Sequence, residues 1–128
     1  MQRVFRTRPF TRWMRKAGLT DVGLRDAVDE MVQGLVDAEL GGHLVKKRVA
    51  LPGQGKRGGA RTIVATRREG RWFFLFGFEK NERAHVDKDE LKALQEMAKD
   101  LLDLDDLQLA TAMAAGDIWE VKREPDQT

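Results

Sequence analysis

A chain of 128 residues has room for one core, hiding about two thirds of its unfolded surface, and not for a second full domain. It has no cysteine, which excludes disulfides, thiolate metal sites and cysteine nucleophiles, and no apolar run near the roughly 20 residues of a membrane span. The net charge of +2 hides a segregation: residues 1–18 carry +6, residues 19–43 −5, residues 44–85 +8 and residues 86–128 −7.

In chain order, "QRVFRT" reads as a first strand. Pro9 sits where helices begin, Phe10, Trp13 and Met14 share one side, and Gly18 is a stop. Thr20 can cap a second helix in which Leu24, Val28, Met31 and Leu35 recur at helical spacing, ending near Gly34 or at Gly41-Gly42. After Gly42 the period becomes two. "LVKKRVAL" (44–51), "RTIVATRR" (61–68) and "RWFFLFGF" (71–78), split by turn signals at 52–59 and 69–70, predict a three-stranded antiparallel meander. Asp87 with Glu90 three residues on forms a capping box ahead of Leu91, Leu94, Ala98, Leu101 and Leu102, an amphipathic third helix. The pattern is β-α-α-β-β-β-α, a compact α+β domain over residues 1–102 with a mostly antiparallel sheet. Residues 103–128 read as an acidic, loosely packed extension with one helical piece around 107–115.

The stretch "ALPGQGKRGGAR" (50–61) contains a literal G-x-G-x-x-G at Gly53, Gly55 and Gly58. A dinucleotide site needs a strand before this motif and a helix after it, because the pyrophosphate rests on the helix N-terminus. Here a strand follows, and no Ser or Thr comes after Gly55-Lys56 as a P-loop requires. The glycines therefore read as the hinge of a long hairpin loop that carries Lys56 and Arg57 at its tip.

Segregated charge has two readings: a cationic face suited to polyanions, or blocks that pair with one another in the fold. Strand period sorts the cations. Lys46 and Arg48 share a face with Leu44, whereas Lys47 shares the other with Val45, Val49 and Leu51 and must sit near an edge or snorkel. Arg61 is in phase with Ile63 and Ala65, and Trp72, Phe74, Phe76 and Phe78 are expected on one face. Antiparallel pairing then lets Lys46, Arg48, Arg61, Lys80, Arg83 and His85 converge.

"KKRVALPGQGKRGGARTIVATRR" followed by "WFFLFGFEKNERAHVDKDELKAL" resembles the RelE/HigB superfamily of type II toxin-antitoxin toxins, its small branch with a G-x-G-K-x-G-G loop and a K-N-E-R signature, over about Arg3 to Leu102. The resemblance implies a RelE-like microbial RNase-type fold. It also implies cleavage of mRNA, commonly in the ribosomal A site, by a cytoplasmic bacterial protein that a cognate antitoxin neutralises, with no cofactor and no metal. Its basic strand positions fall on Lys46 and Arg48, the arginine after the loop on Arg61, and the cluster ending the last strand on Lys80 and Arg83. Two departures stand out. A tyrosine that some relatives use near the last helix has no counterpart, since the chain has no tyrosine and Asp87 occupies that region, and an arginine beside the basic cluster is Asn81 here.

Metal-free RNA cleavage requires polarising the ribose 2′-hydroxyl, neutralising a phosphorane-like charge and protonating the 5′-oxygen. Arg48, Arg61 and Arg83 suit the charge, Lys46 adds charge or acts as base, and His85 suits proton transfer. Lys47, Lys56, Arg57 and Lys80 are the expected RNA-binding cations. The aromatic run 72–76 reads as core rather than a base-stacking platform, His43 as a loop residue, and Asp100, Asp103, Asp105 and Asp106 as a solvated face. Two other functions fit the same cations: a non-catalytic, ParE-like poison of DNA gyrase, and a plain nucleic-acid-binding module.

Overall fold

The structure, a computed structural model, describes residues 1–53 and 59–123 in full and the backbone of 55–58. Its elements are β1 (Arg3–Thr7), α1 (Arg8–Ala17), α2 (Asp21–Val32), β2 (Ala38–Gly41), β3 (Leu44–Leu51), β4 (Gly55–Thr66), β5 (Arg71–Glu79), α3 (Lys88–Leu102), α4 (Asp106–Ala114) and β6 (Ile118–Val121). The fold is α+β.

Helix boundaries follow from their caps. Thr7 accepts from the Phe10 amide at the start of α1, Pro9 occupies its first turn, and Gly18 closes it at φ 84°, its amide donating to Met14 O. Thr20 caps α2 through the Gly23 amide, and Asp87 and Glu90 form the reciprocal box that starts α3. α4 has the same box, built from Asp105 and Gln108.

One six-stranded sheet, ordered β2-β3-β4-β5-β1-β6, carries helices on both faces; β1 and β5 are parallel and every other pair is antiparallel. On one face α1 and α2 bury Phe10, Met14, Leu24, Val28 and Met31 against Val45, Val49, Val64, Trp72 and Phe74. On the other, α3 and α4 bury Leu94, Ala98, Leu102 and Leu109 against Leu44, Ile63, Phe73, Leu75 and Phe78. Removing each of the large rings from water contributes on the order of 2 kcal/mol.

The structure corrects the meander in three places. β2 and β6 add a strand at each edge: each is only four residues long, too short to display an alternation. β6 lies within the stretch expected as an extension; it pairs with β1 and buries Ile118 and Val121. The aromatic strand also does not keep one face. Ile63 pairs with Phe76 and Val64 with Phe74, so Leu75 is an extra residue, a β-bulge. Trp72 and Phe74 face α1 and α2, whereas Phe76 and Phe78 are turned to the α3 side. Gly77 then points back at α1, where a Cβ would stand 2.2 Å from the Trp13 ring. The turn between β3 and β4 is shorter than the sequence led us to expect, because β4 already begins at Gly55.

Candidate functional site

The bulge builds the floor of the site. Past Leu75, Phe78 lies beside Arg61, which in turn pairs with Arg48, and Phe76 lies beside Ile63, which pairs with Lys46. Three strands thus bring Lys46, Arg48 and Arg61 onto the face that Phe76 and Phe78 now share. The β5–α3 connection returns over these rings: the Arg83 guanidinium stands 5.7 Å from the centroids of both Phe76 and Phe78, and Lys46 Nζ lies 5.9 Å from Phe78.

Each cation is held differently. Lys46 Nζ donates to Ala84 O at 3.2 Å. Asp37, just before β2, grips Arg48 twice, accepting from its amide at 2.6 Å and from Nε at 2.9 Å. Arg83 donates from Nε to His85 O, from Nη1 to Glu90 Oε2 at 2.9 Å, and from Nη2 to Glu90 Oε1. That pair shifts both titrations: the hydrogen bonds raise Arg83 above its ordinary value and hold the Glu90 carboxyl below the usual carboxylate range. Among the described residues Arg61 Nη1 reaches only Gly59 O, at 3.2 Å, and the Lys80 and His85 side chains are exposed. Gly59 itself admits no side chain, since a Cβ would lie 2.3 Å from Val49 O.

Lys46, Arg48 and Arg61 therefore share one sheet face, Arg83 stands over the same Phe78 ring as Lys46, and Lys80 and His85 lie on the adjoining connection. Lys47 does not join them. It is buried on the opposite face, where Nζ donates to Glu30 Oε1 at 2.7 Å and to Leu35 O at 2.9 Å, so its expected role on an RNA face has no side chain to carry it there. The backbone of Lys56 and Arg57 belongs to β4 rather than to a hairpin loop, and their side chains lie outside what the structure describes. Asp87 has its carboxylate engaged by the Glu90 amide at 2.8 Å.

The charge blocks largely pair with one another. Arg6 meets Asp21, Arg8 Asp117, Arg3 Glu120, Arg67 Asp103, Arg68 Glu39 and Arg71 Asp106, in addition to the pairs above. Among the described cations of residues 44–85, Lys46, Arg61 and Lys80 are those with no carboxylate partner. All three belong to this end of the sheet. Two groups escaped the sequence reading: Asp37, and Glu90 in any role beyond its cap. The Arg83-to-Glu90 spacing, short and of opposite sign, was a usable signal for the second.

The model of the RelE toxin family, described as the RelE toxin of the RelE / RelB toxin-antitoxin system, matches residues 2–121. The chain belongs to this family. As a RelE-type toxin it implies a cognate antitoxin as partner, and the match extends through α4 and β6. Among curated proteins no significant match is found. Among the toxin's described residues no helix is long and apolar enough to cross a membrane.

Proposed function

We propose that this RelE-family toxin arrests translation by metal-independent cleavage of mRNA, in the cytoplasm of a bacterium and on the ribosome, until its antitoxin covers the site. The observation that carries this reading is the set of cations that no carboxylate neutralises among the described residues, Lys46, Arg61 and Lys80, flanked by two arginines that carboxylates hold in place. A surface that merely balanced its acidic partners would leave no such set.

In this reading the 2′-oxygen attacks the adjacent phosphorus, its proton leaves to a base, and the P–O5′ bond breaks to give a 2′,3′-cyclic phosphate and a 5′-hydroxyl. Arg61 and Lys46 receive the charge that builds on the phosphoryl oxygens, where a preorganised cation acts most strongly. Arg48 and Arg83 fix the flanking phosphates, their forks already oriented. His85 supplies the proton to the 5′-oxygen, histidine being the side-chain type that titrates near neutral pH. Lys80, with Lys56 and Arg57 of β4, adds attraction for the RNA strand.

The test is controlled expression in a bacterial host of the intact chain and of Arg61→Ala, with growth and primer extension on a reporter mRNA followed together. Arrest with new ends inside the reading frame, both lost in the variant, is the expected result, and repeating the digestion on purified mRNA with and without ribosomes decides ribosome dependence. Arrest with intact mRNA would transfer the target to gyrase or another machine. Salt-dependent RNA binding without arrest would leave a binding module.

A further inference from the structure

We propose that Glu90 is a positioning residue for the RNA-cleaving centre, holding Arg83 and, through the connection it tethers, Lys46. The inference rests on the proposed function. Both oxygens of Glu90 are occupied: Oε1 accepts from Arg83 Nη2 and, at 3.0 Å, from the Asp87 amide, and Oε2 accepts from Arg83 Nη1. Hydrogen bonds to the charged form make such a carboxylate a poor proton acceptor. It can fix a geometry. The Arg83 guanidinium is clamped between Glu90 and the two rings, its Nε closes onto His85 O, and the carbonyl between them, Ala84 O, receives Lys46 Nζ. One carboxylate at the first turn of α3 thereby orders the whole segment 83–85 and the lysine below it.

The fold contains its own control. The capping box of α4 has Gln108 where α3 has Glu90, so the reciprocal cap needs one side-chain oxygen and no charge. The negative charge and second oxygen of Glu90 go to Arg83 instead. Glu90→Gln should therefore keep the helix start and loosen the arginine.

Three measurements decide it: single-turnover cleavage of the reporter mRNA, thermal unfolding, and the NMR signal and solvent-exchange rate of Arg83 Nε–H. For Glu90→Gln the expected results are a melting temperature close to that of the native chain, a fall in the cleavage rate on the order of tenfold or more, and faster exchange at Arg83. In an Arg83→Ala background the same change should cost nothing further, because the two side chains act as one unit. Native cleavage by Glu90→Gln, a loss that multiplies with that of Arg83→Ala, or an unaltered Arg83 signal would each overturn the assignment. If the native chain cleaves no RNA, the functional reading fails by itself, and the exchange comparison still decides whether Glu90 holds Arg83.

Discussion

The two ends of α3 meet the sheet among cations of opposite fate. At the C-terminal end Arg67 donates to Leu102 O and to Asp103, and Arg71 to Leu104 O and to Asp106, so each guanidinium closes one backbone carbonyl and one carboxylate. Cations at the end of a helix also satisfy its unpaired carbonyls and its dipole. At the N-terminal end Arg83 is pinned in the same manner, yet Lys46, Arg61 and Lys80 at this end of the sheet have no acid among the described residues. Similar residues, a helix length apart, are structural at one end and available to a ligand at the other. What separates them is not their number but whether a carboxylate has been folded onto them.

The sharpest way to break this comparison is to exchange single residues between its halves. Arg61→Ala should reduce mRNA cleavage by about 10²- to 10³-fold, the usual cost of one preorganised charge-stabilising donor, with little change in melting temperature. A variant that unfolds early instead would make Arg61 another structural arginine.

Next in size is a change on the far face. Lys47 stands between Lys46 and Arg48 in the chain, but the strand pleat sends it into the α2 side, where it pairs with Glu30. Glu30→Ala leaves that ammonium buried against Leu35 O without its charge partner, and should lower stability by about 3 kcal/mol. Chemical denaturation measures it. Cleavage per folded molecule should stay at the native level, which would show that three consecutive cations serve two separate purposes.

These distinctions were only partly legible in the sequence. The helices announce themselves through local signals: Pro9 and Gly18, Thr20, and Asp87 with Glu90 lie at the boundaries they set. The convergence of Lys46, Arg48 and Arg61 follows from strand period and antiparallel order. The bulge at Leu75 does not, because a strand with apolar side chains at every position from Trp72 to Phe76 carries no phase to reveal a slip. Pairing is harder still. Asp103 lies 36 residues from Arg67 and Asp106 35 residues from Arg71, so which cation is neutralised is a tertiary fact. A block of +8 looks uniform in sequence although its members have different fates.

A third prediction addresses the structural end. Arg71→Ala removes the donors to Leu104 O and to Asp106, freeing the junction between α3 and α4. Loss of a hydrogen bond from a charged donor to a carbonyl predicts destabilisation of about 1–2 kcal/mol, read as a lower melting temperature. RNA cleavage at a permissive temperature should not change. A loss of cleavage larger than the loss of folded protein would extend the site along the whole of α3 and dissolve the contrast between its ends.

The smallest effect is the response to acid, and it discriminates by sign. Hydrogen bonds from Arg3 and Arg67 hold the Glu120 and Asp103 carboxyls below their ordinary range in the folded chain. A folded value below the unfolded one means that the stabilisation is complete above the unfolded pKa and disappears as pH falls through the folded value. The melting temperature should accordingly be level near neutrality and decline once pH drops below about 4.5, where free carboxylates begin to protonate. Arg3→Ala and Arg67→Ala should each make that decline shallower by removing the depressed folded value. Arg61→Ala should leave it unaltered, since among the described residues no carboxylate pairs with Arg61. If all three variants flattened the acid limb equally, Arg61 would have a carboxylate partner after all, and the division between committed and uncommitted cations would fall with it.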